Sequence, residues 1–195
     1  MPTRLTLRAE LLAMQKEDLG VRERLLQAGQ LQPGKYHPEM EAIHTKNAAR
    51  LHRILARYGW PTRTLVGVDG EEAAWLVVQH AIGDPVLQRE SLRLLEQAVA
   101  AGEAPAWQMA CLADRIASFE GRPQRYGTHC DWDDDGYHSV YTLEDPEHVN
   151  ELRHSVGLGP IEYPSHDGQS PMPPERLAEY RASFEAWAKS VAWRS

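Results

Sequence analysis

Hydrophobic residues recur at helical spacing through most of the chain. A first amphipathic segment covers about residues 3 to 28, and a Pro/Gly-containing break separates it from a second at about residues 38 to 58. The second segment has six inward positions at intervals of three and four, which places them on one helix face. These positions are Met40, His44, Asn47, Leu51, Ile54 and Tyr58. Two of the six are polar.

Five further helices and one β-hairpin are predicted from the rest of the pattern. After an extended passage at 64–67, residues 71–82 are apolar on every side and predict a central helix. Helices follow at 85–101, 105–119 and 145–156. Residues 122–143 contain an Asp-Gly turn between alternating segments and predict a hairpin. A Pro/Ser/Gly-rich linker at 164–174 precedes an amphipathic helix at 175–195. The expected fold is mainly α, a compact multi-helix domain (1–163) with one short hairpin and an appended C-terminal helix.

Polar residues occupy core positions of three predicted helices. These residues are His44, Asn47, Gln79, His80, Asp114 and Arg115. Burying polar groups costs free energy unless they satisfy one another, so their convergence would indicate a site. In this hypothesis His44 or His80 is a general acid or base, and Asp114 orients the imidazole.

Further residues complete the predicted site around those histidines. Asn47 and Gln79 would orient a substrate, and Arg115 would bind a negative group. The hairpin residues Gln124, Tyr126 and Thr128 would line the mouth, and Arg153 is added to the substrate-binding set. We expect these groups to share a cavity of roughly 300 Å³ or more. The alternatives are satisfied core polar groups, a His80 that caps its helix, and an Asp114–Arg115 network that holds the hairpin.

Metal sites are a weaker prediction. His44, His80 and His129 could bind zinc with a water as fourth ligand, but they lack tight ligand spacing. Asp131, Asp133, Asp135 and Gly136 match the start of a calcium loop. Position twelve of that loop is Thr142 instead of glutamate, so an acidic hairpin turn is favoured. We therefore predict no metal and no cofactor, with zinc and calcium as alternatives.

Charge and composition restrict the class of partner. A net charge of −7 argues against nucleic acid, and no segment is long and apolar enough to span a bilayer. The chain has two cysteines, Cys111 and Cys130, which predict reduced thiols in a cytoplasmic protein.

An ordered set of short motifs between Leu11 and Tyr163 resembles a widespread bacterial family of small domains of unknown function. The motifs are Gly59–Thr62 (GWPT), Leu65–Gly67 (LVG), Ala73–Leu76 (AAWL), Gln79–Ala81 (QHA), Asp114–Ile116 (DRI), Gly121–Thr128 (GRPQRYGT) and Arg153 with Val156–Leu158 (VGL). In that family Tyr-Gly-Thr is usually followed by Gln, where this chain has His129. This difference weakens the prediction that His129 is a zinc ligand. The resemblance implies no reaction.

The leading hypothesis is a small enzyme that uses histidine acid–base chemistry on a polar or anionic small molecule. The first alternative is a non-enzymatic binding, adaptor or immunity-type module. Its last helix, with Tyr180, Phe184, Trp187 and Trp193, would contact a protein partner or a second copy of the chain. The second alternative is a metal-dependent hydrolase.

Overall fold

The chain folds into helices and one small hairpin, as the hydrophobic pattern predicts. The computed structural model describes residues 4–32, 35–163 and 168–195, and these contain seven helices and a two-stranded antiparallel sheet. The mainly α fold class is therefore confirmed. Two compact units are present, and the division between them falls after Pro105. Residues 164–167 of the predicted 164–174 linker lie outside the described part of the chain.

The first unit consists of four helices. They are α1 (Arg4–Gln27), α2 (Pro38–Tyr58), α3 (Arg63–His80) and α4 (Pro85–Ala100). α1 packs mainly against α3, and α2 contacts both of them as well as α4. Buried positions of α1 recur along one face at Leu7, Leu11, Met14, Asp18 and Leu25, whereas Leu19 and Leu26 are exposed. One member of this buried face is a carboxylate.

Local capping explains where these helices begin. The side chains of His37, Thr62 and Asp84 accept backbone N–H groups at the starts of α2, α3 and α4. Pro38 and Pro85 occupy the first positions of α2 and α4, where no N–H donor is needed. The prediction of an extended passage at 64–67 is wrong, because residues 63–66 form a helical turn. Gly67, with φ 79°, interrupts α3 directly after it.

The second unit contains the hairpin and three helices. Its elements are α5 (Ala106–Phe119), β1 (Cys130–Trp132), β2 (His138–Val140), α6 (Val149–Ser155) and α7 (Pro174–Ser190). Cys130 pairs with Val140 and Trp132 with His138. The ladder is shorter than the predicted 122–143 hairpin, and residues 122–129 form a loop instead of a strand. Side chains bind the backbone of this loop, as described below.

The aromatic residues of α7 and the segment after it are used inside the second unit. The rings of Phe184, Trp187 and Trp193 lie 5.9, 5.6 and 5.2 Å from the ring of Phe119. Trp193 is buried, and Arg194 donates to the Phe119 carbonyl at the end of α5. The C-terminal aromatic residues predicted to contact a partner thus pack against their own unit. Within the described residues, no helix has the length and apolar character that crossing a bilayer requires.

Candidate functional site

Three polar side chains from three helices meet in the first unit. Asp18 on α1 is fully buried and lies between His44 on α2 and His80 on α3. Its Oδ1 is 2.8 Å from His80 Nδ1, and its Oδ2 is 3.3 Å from His44 Nε2. The imidazole rings are 5.1 Å apart. We call Asp18, His44 and His80 the histidine cluster.

The two imidazoles keep the central carboxyl group ionised. Burial by itself would raise the pKa of Asp18, but contact with His44 and His80 outweighs this effect and lowers the pKa to about 2. A buried carboxylate thus faces two groups that can take up a proton. His44 is almost completely buried, whereas 27% of the His80 side chain is exposed.

Tyr36 contacts the outer edge of His44. Its hydroxyl lies 2.7 Å from His44 Nδ1, within hydrogen-bonding distance. Burial and the negative charges of Glu41 and Asp18 raise the pKa of the phenol, which keeps the hydroxyl protonated. Both ring nitrogens of His44 therefore face protein oxygens, whereas His80 contacts the cluster through Nδ1 alone.

A small cavity borders the histidine cluster. It has a volume of about 170 Å³ and is lined by Tyr36, His44, Thr45, Ala48, Ala49, His52, Ala81, Gly83 and Asp84. His52 Nε2 lies 2.8 Å from Asp84 Oδ2, so a second imidazole–carboxylate pair lines the same space. The cavity is smaller than the expected 300 Å³. Neither His80 nor Arg115 belongs to its described lining.

The predicted residues Asn47 and Gln79 are both buried in the first unit. Asn47 Nδ2 lies 3.5 Å from the backbone carbonyl of Met14 on α1, a long contact that joins two helices. Gln79 precedes His80 on α3. Neither residue lines the described cavity.

Asp114, predicted to orient an imidazole, binds backbone instead. It is buried on α5 in the second unit and accepts hydrogen bonds from the backbone N–H groups of Arg125, Tyr126 and Thr128. The Thr128 hydroxyl donates to it as well, at 2.9 Å. The carboxylate that contacts His44 and His80 is Asp18.

Gln124 and Arg153 hold the same loop. The Gln124 carboxamide donates to the carbonyls of His129 and Tyr141 and accepts from the His129 N–H. Arg153 donates to the carbonyls of Tyr126 and Gly127. Tyr126 is buried in an apolar cluster with Ala110 and Val156. The predicted mouth residues thus belong to a framework around residues 124–129, in which the Gln124 carboxamide binds main chain and the Thr128 hydroxyl binds Asp114.

Arg115 and His129 also belong to the second unit. Burial lowers the pKa of Arg115, whose guanidinium lies 5.8 Å from the centre of the Phe119 ring. Burial and the charge of Arg115 lower the pKa of His129 to about 4, which keeps this imidazole neutral. His129 packs edge-on against Phe119 at 5.9 Å. His129 therefore belongs to a different unit from His44 and His80.

The acidic turn and a larger groove beside it lie in the second unit. Asp131 accepts from the Tyr180 hydroxyl, and Asp133 accepts from the N–H groups of Asp135 and Tyr137. The groove has a volume of about 570 Å³ and includes the ion pairs Arg181–Asp134 and Arg194–Glu185. These groups already bind one another. We therefore favour the smaller cavity beside the histidine cluster as the functional site.

Sequence reasoning overlooked four residues of this region. Tyr36, His52 and Asp84 were not among the site residues predicted from the sequence. Asp18 was not among them either. Its position on the buried face of α1, after Leu11 and Met14, is the same kind of signal that identified His44 on α2.

The motif resemblance is supported by comparison with family models. The model of a family of unknown function (DUF6624) matches residues 5–165, which include most of both units. No curated protein and no solved structure matches the chain. Because the matched region covers most of the sequence, the chain belongs to the family of unknown function DUF6624.

Proposed function

We propose that the protein is a small enzyme whose acid–base chemistry is centred on the histidine cluster. One observation carries the proposal: a buried, ionised carboxylate contacts imidazoles from two other helices, and one of these imidazoles lines a cavity. A buried charge without such partners would be strongly destabilising. The contacts that Asp18 makes also position two proton-accepting groups.

His80 is the proposed general base. When its Nδ1–H donates to Asp18, the lone pair is left on Nε2, and the ionised carboxylate stabilises the imidazolium that forms on proton uptake. His80 is the more exposed of the two cluster histidines. It is not part of the described cavity lining, but the next residue, Ala81, lines the cavity, so the proposed substrate would reach His80 at the edge of the cavity. Asp18 is a positioning residue in this scheme, because it acts through the imidazoles.

The cavity favours a small polar substrate. Its volume of about 170 Å³ lies below the range of roughly 300–1,000 Å³ that is usual for ligand pockets. Imidazole, hydroxyl and carboxylate groups from His44, Thr45, His52 and Asp84 line it, together with small apolar residues. Arg115, the residue expected to attract an anion, is absent from this described lining. We therefore favour a polar over an anionic substrate.

Turnover of a panel of small esters, amides and phosphoesters tests the proposal. His80→Gln and Asp18→Asn should each lower kcat/KM by about 100-fold or more, the usual contribution of general acid–base catalysis. Glu17→Gln removes an exposed carboxylate next to Asp18 and is the matched control. His148→Gln removes an imidazole from the exposed Asp145 pair in the second unit.

The variants must retain wild-type circular dichroism for the comparison to count. Unchanged turnover in folded His80→Gln would contradict the proposal. A loss of activity in Glu17→Gln or His148→Gln as large as that in His80→Gln would contradict it equally.

A further inference from the structure

The histidine cluster combines side chains that transition metals prefer as ligands. One ligand atom from each of Asp18, His44 and His80 lies within 4.8 Å of the other two. Bonds of about 2.1 Å to one ion would place neighbouring ligand atoms roughly 3.0–3.4 Å apart. The carboxylate–imidazole separations are 2.8 and 3.3 Å, so modest side-chain rotation would close the set around an ion.

Two atoms inside the cluster are poorly satisfied by the protein. Asp18 Oδ2 and His44 Nε2 are buried and face each other, yet neither has a hydrogen-bond partner among the described residues. If His44 Nδ1–H donates to Tyr36, the lone pair of Nε2 is directed towards a carboxylate oxygen. Two electron-rich atoms repel each other at 3.3 Å. A cation bound to both atoms would offset this repulsion.

The surroundings match those of known metal ligands. A metal-bound histidine usually donates its other N–H to an oxygen, and the Tyr36 hydroxyl is in that position for His44 at 2.7 Å. The partial exposure of His80 provides access to the cluster from solvent.

We propose that Asp18, His44 and His80 form a three-ligand site for one divalent transition-metal ion of the zinc or iron(II) class. Two imidazoles exclude magnesium and calcium as preferred ions, because both favour all-oxygen sites. Three protein ligands leave a position for water, the arrangement of catalytic rather than structural sites. The site replaces His129 of the sequence-based zinc set with Asp18. A bound metal ion would replace the Nδ1 proton of His80, so the metal site is an alternative to the metal-free role of His80 as a general base, and it is tested without turnover.

Zinc titration of the full-length, tag-free protein in competition with a chromophoric chelator tests this inference. We expect one tight Zn²⁺ site per chain. His80→Gln and Asp18→Asn should weaken it at least about 100-fold, since each removes a direct ligand. His148→Gln and Glu17→Gln should bind like wild type, because their exposed pairs lie outside the cluster.

Cobalt(II) substitution provides a second readout that does not depend on affinity. Visible absorption bands should appear in wild type and His148→Gln, and they should be absent in His80→Gln. Because His80 is partly exposed, this variant should fold even if Asp18→Asn does not. Equal zinc affinity in wild type and folded His80→Gln would overturn the inference, as would wild-type binding no tighter than that of free imidazole.

The outcomes separate the metal site from the proposed reaction. Stoichiometric zinc without turnover supports the metal site and contradicts the enzyme proposal. Turnover that depends on His80 in a protein that binds no zinc overturns the metal site and supports metal-free acid–base chemistry.

Discussion

At the scale of single residues, Asp18 has the most consequential environment in the first unit. It is fully buried on α1, and its contacts are imidazoles from α2 and α3. Removing a partner from such a group leaves an uncompensated buried charge, which costs several kcal/mol. The same side chain is therefore important both for joining three helices and for the proposed chemistry.

The lowered pKa of Asp18 predicts an acid-dependent contribution to stability. The folded-state pKa of about 2 lies below the ordinary value of 3.8, so the unfolded chain takes up the proton first as pH falls. The contribution is present above about pH 4 and is lost as pH approaches 2. It amounts to about 2 kcal/mol.

Urea denaturation of wild type and Asp18→Asn measures this contribution. The difference in free energy of unfolding should be about 1.5 kcal/mol larger at about pH 6 than at about pH 2.5, where part of the contribution remains. The same measurement on Glu17→Gln shows how much of the difference arises from removing any carboxylate at this place in α1. A difference between wild type and Asp18→Asn that is independent of pH would contradict the shifted pKa.

At the scale of structural elements, buried side chains determine the shape of the loop before β1. Asp114 and Gln124 accept hydrogen bonds from the backbone N–H groups of residues 125, 126, 128 and 129, which a longer hairpin ladder would use. The prediction of a strand at residues 122–129 is therefore wrong, although the sequence there has the alternating pattern of a strand. A backbone donor paired with a buried carboxylate is satisfied as fully as one in a sheet.

Asp114→Asn should destabilise the second unit by about 3 kcal/mol, because the new NH₂ group faces backbone donors that lose their acceptor. Thermal unfolding followed by tryptophan fluorescence measures the loss. Thr128→Val removes only the hydroxyl donor and should cost about 1 kcal/mol. Equal stability of Asp114→Asn and wild type would show that the loop does not depend on this carboxylate.

At the scale of the whole molecule, sequence pattern predicted the helices better than the assembly of the site. Helical spacing identified His44 on its buried face, and the apolar run before His80 marked a central helix. Periodicity describes one element at a time, so it could not show that Asp114 and Asp18 belong to different units. It also could not show which carboxylate meets His44 and His80.

The C-terminal helix provides a test that separates a docking element from a structural one. Truncation after Tyr163 removes buried Leu177, Ala188 and Trp193, and it uncovers Phe119. We expect lower stability and aggregation, and Trp193→Ala alone should cost about 3 kcal/mol. Chemical denaturation checks both variants. A truncated chain as stable as wild type would favour the adaptor alternative.

The most direct test of the central claim is the protonation state of the cluster imidazoles. Long-range ¹H–¹⁵N spectra of chelator-treated protein should show His80 protonated on Nδ1, with an unprotonated Nε2. Asp18→Asn should change this tautomer, because the carboxylate selects it. A His80 with a proton on Nε2 only, unchanged in Asp18→Asn, would contradict the claim that Asp18 positions it for chemistry.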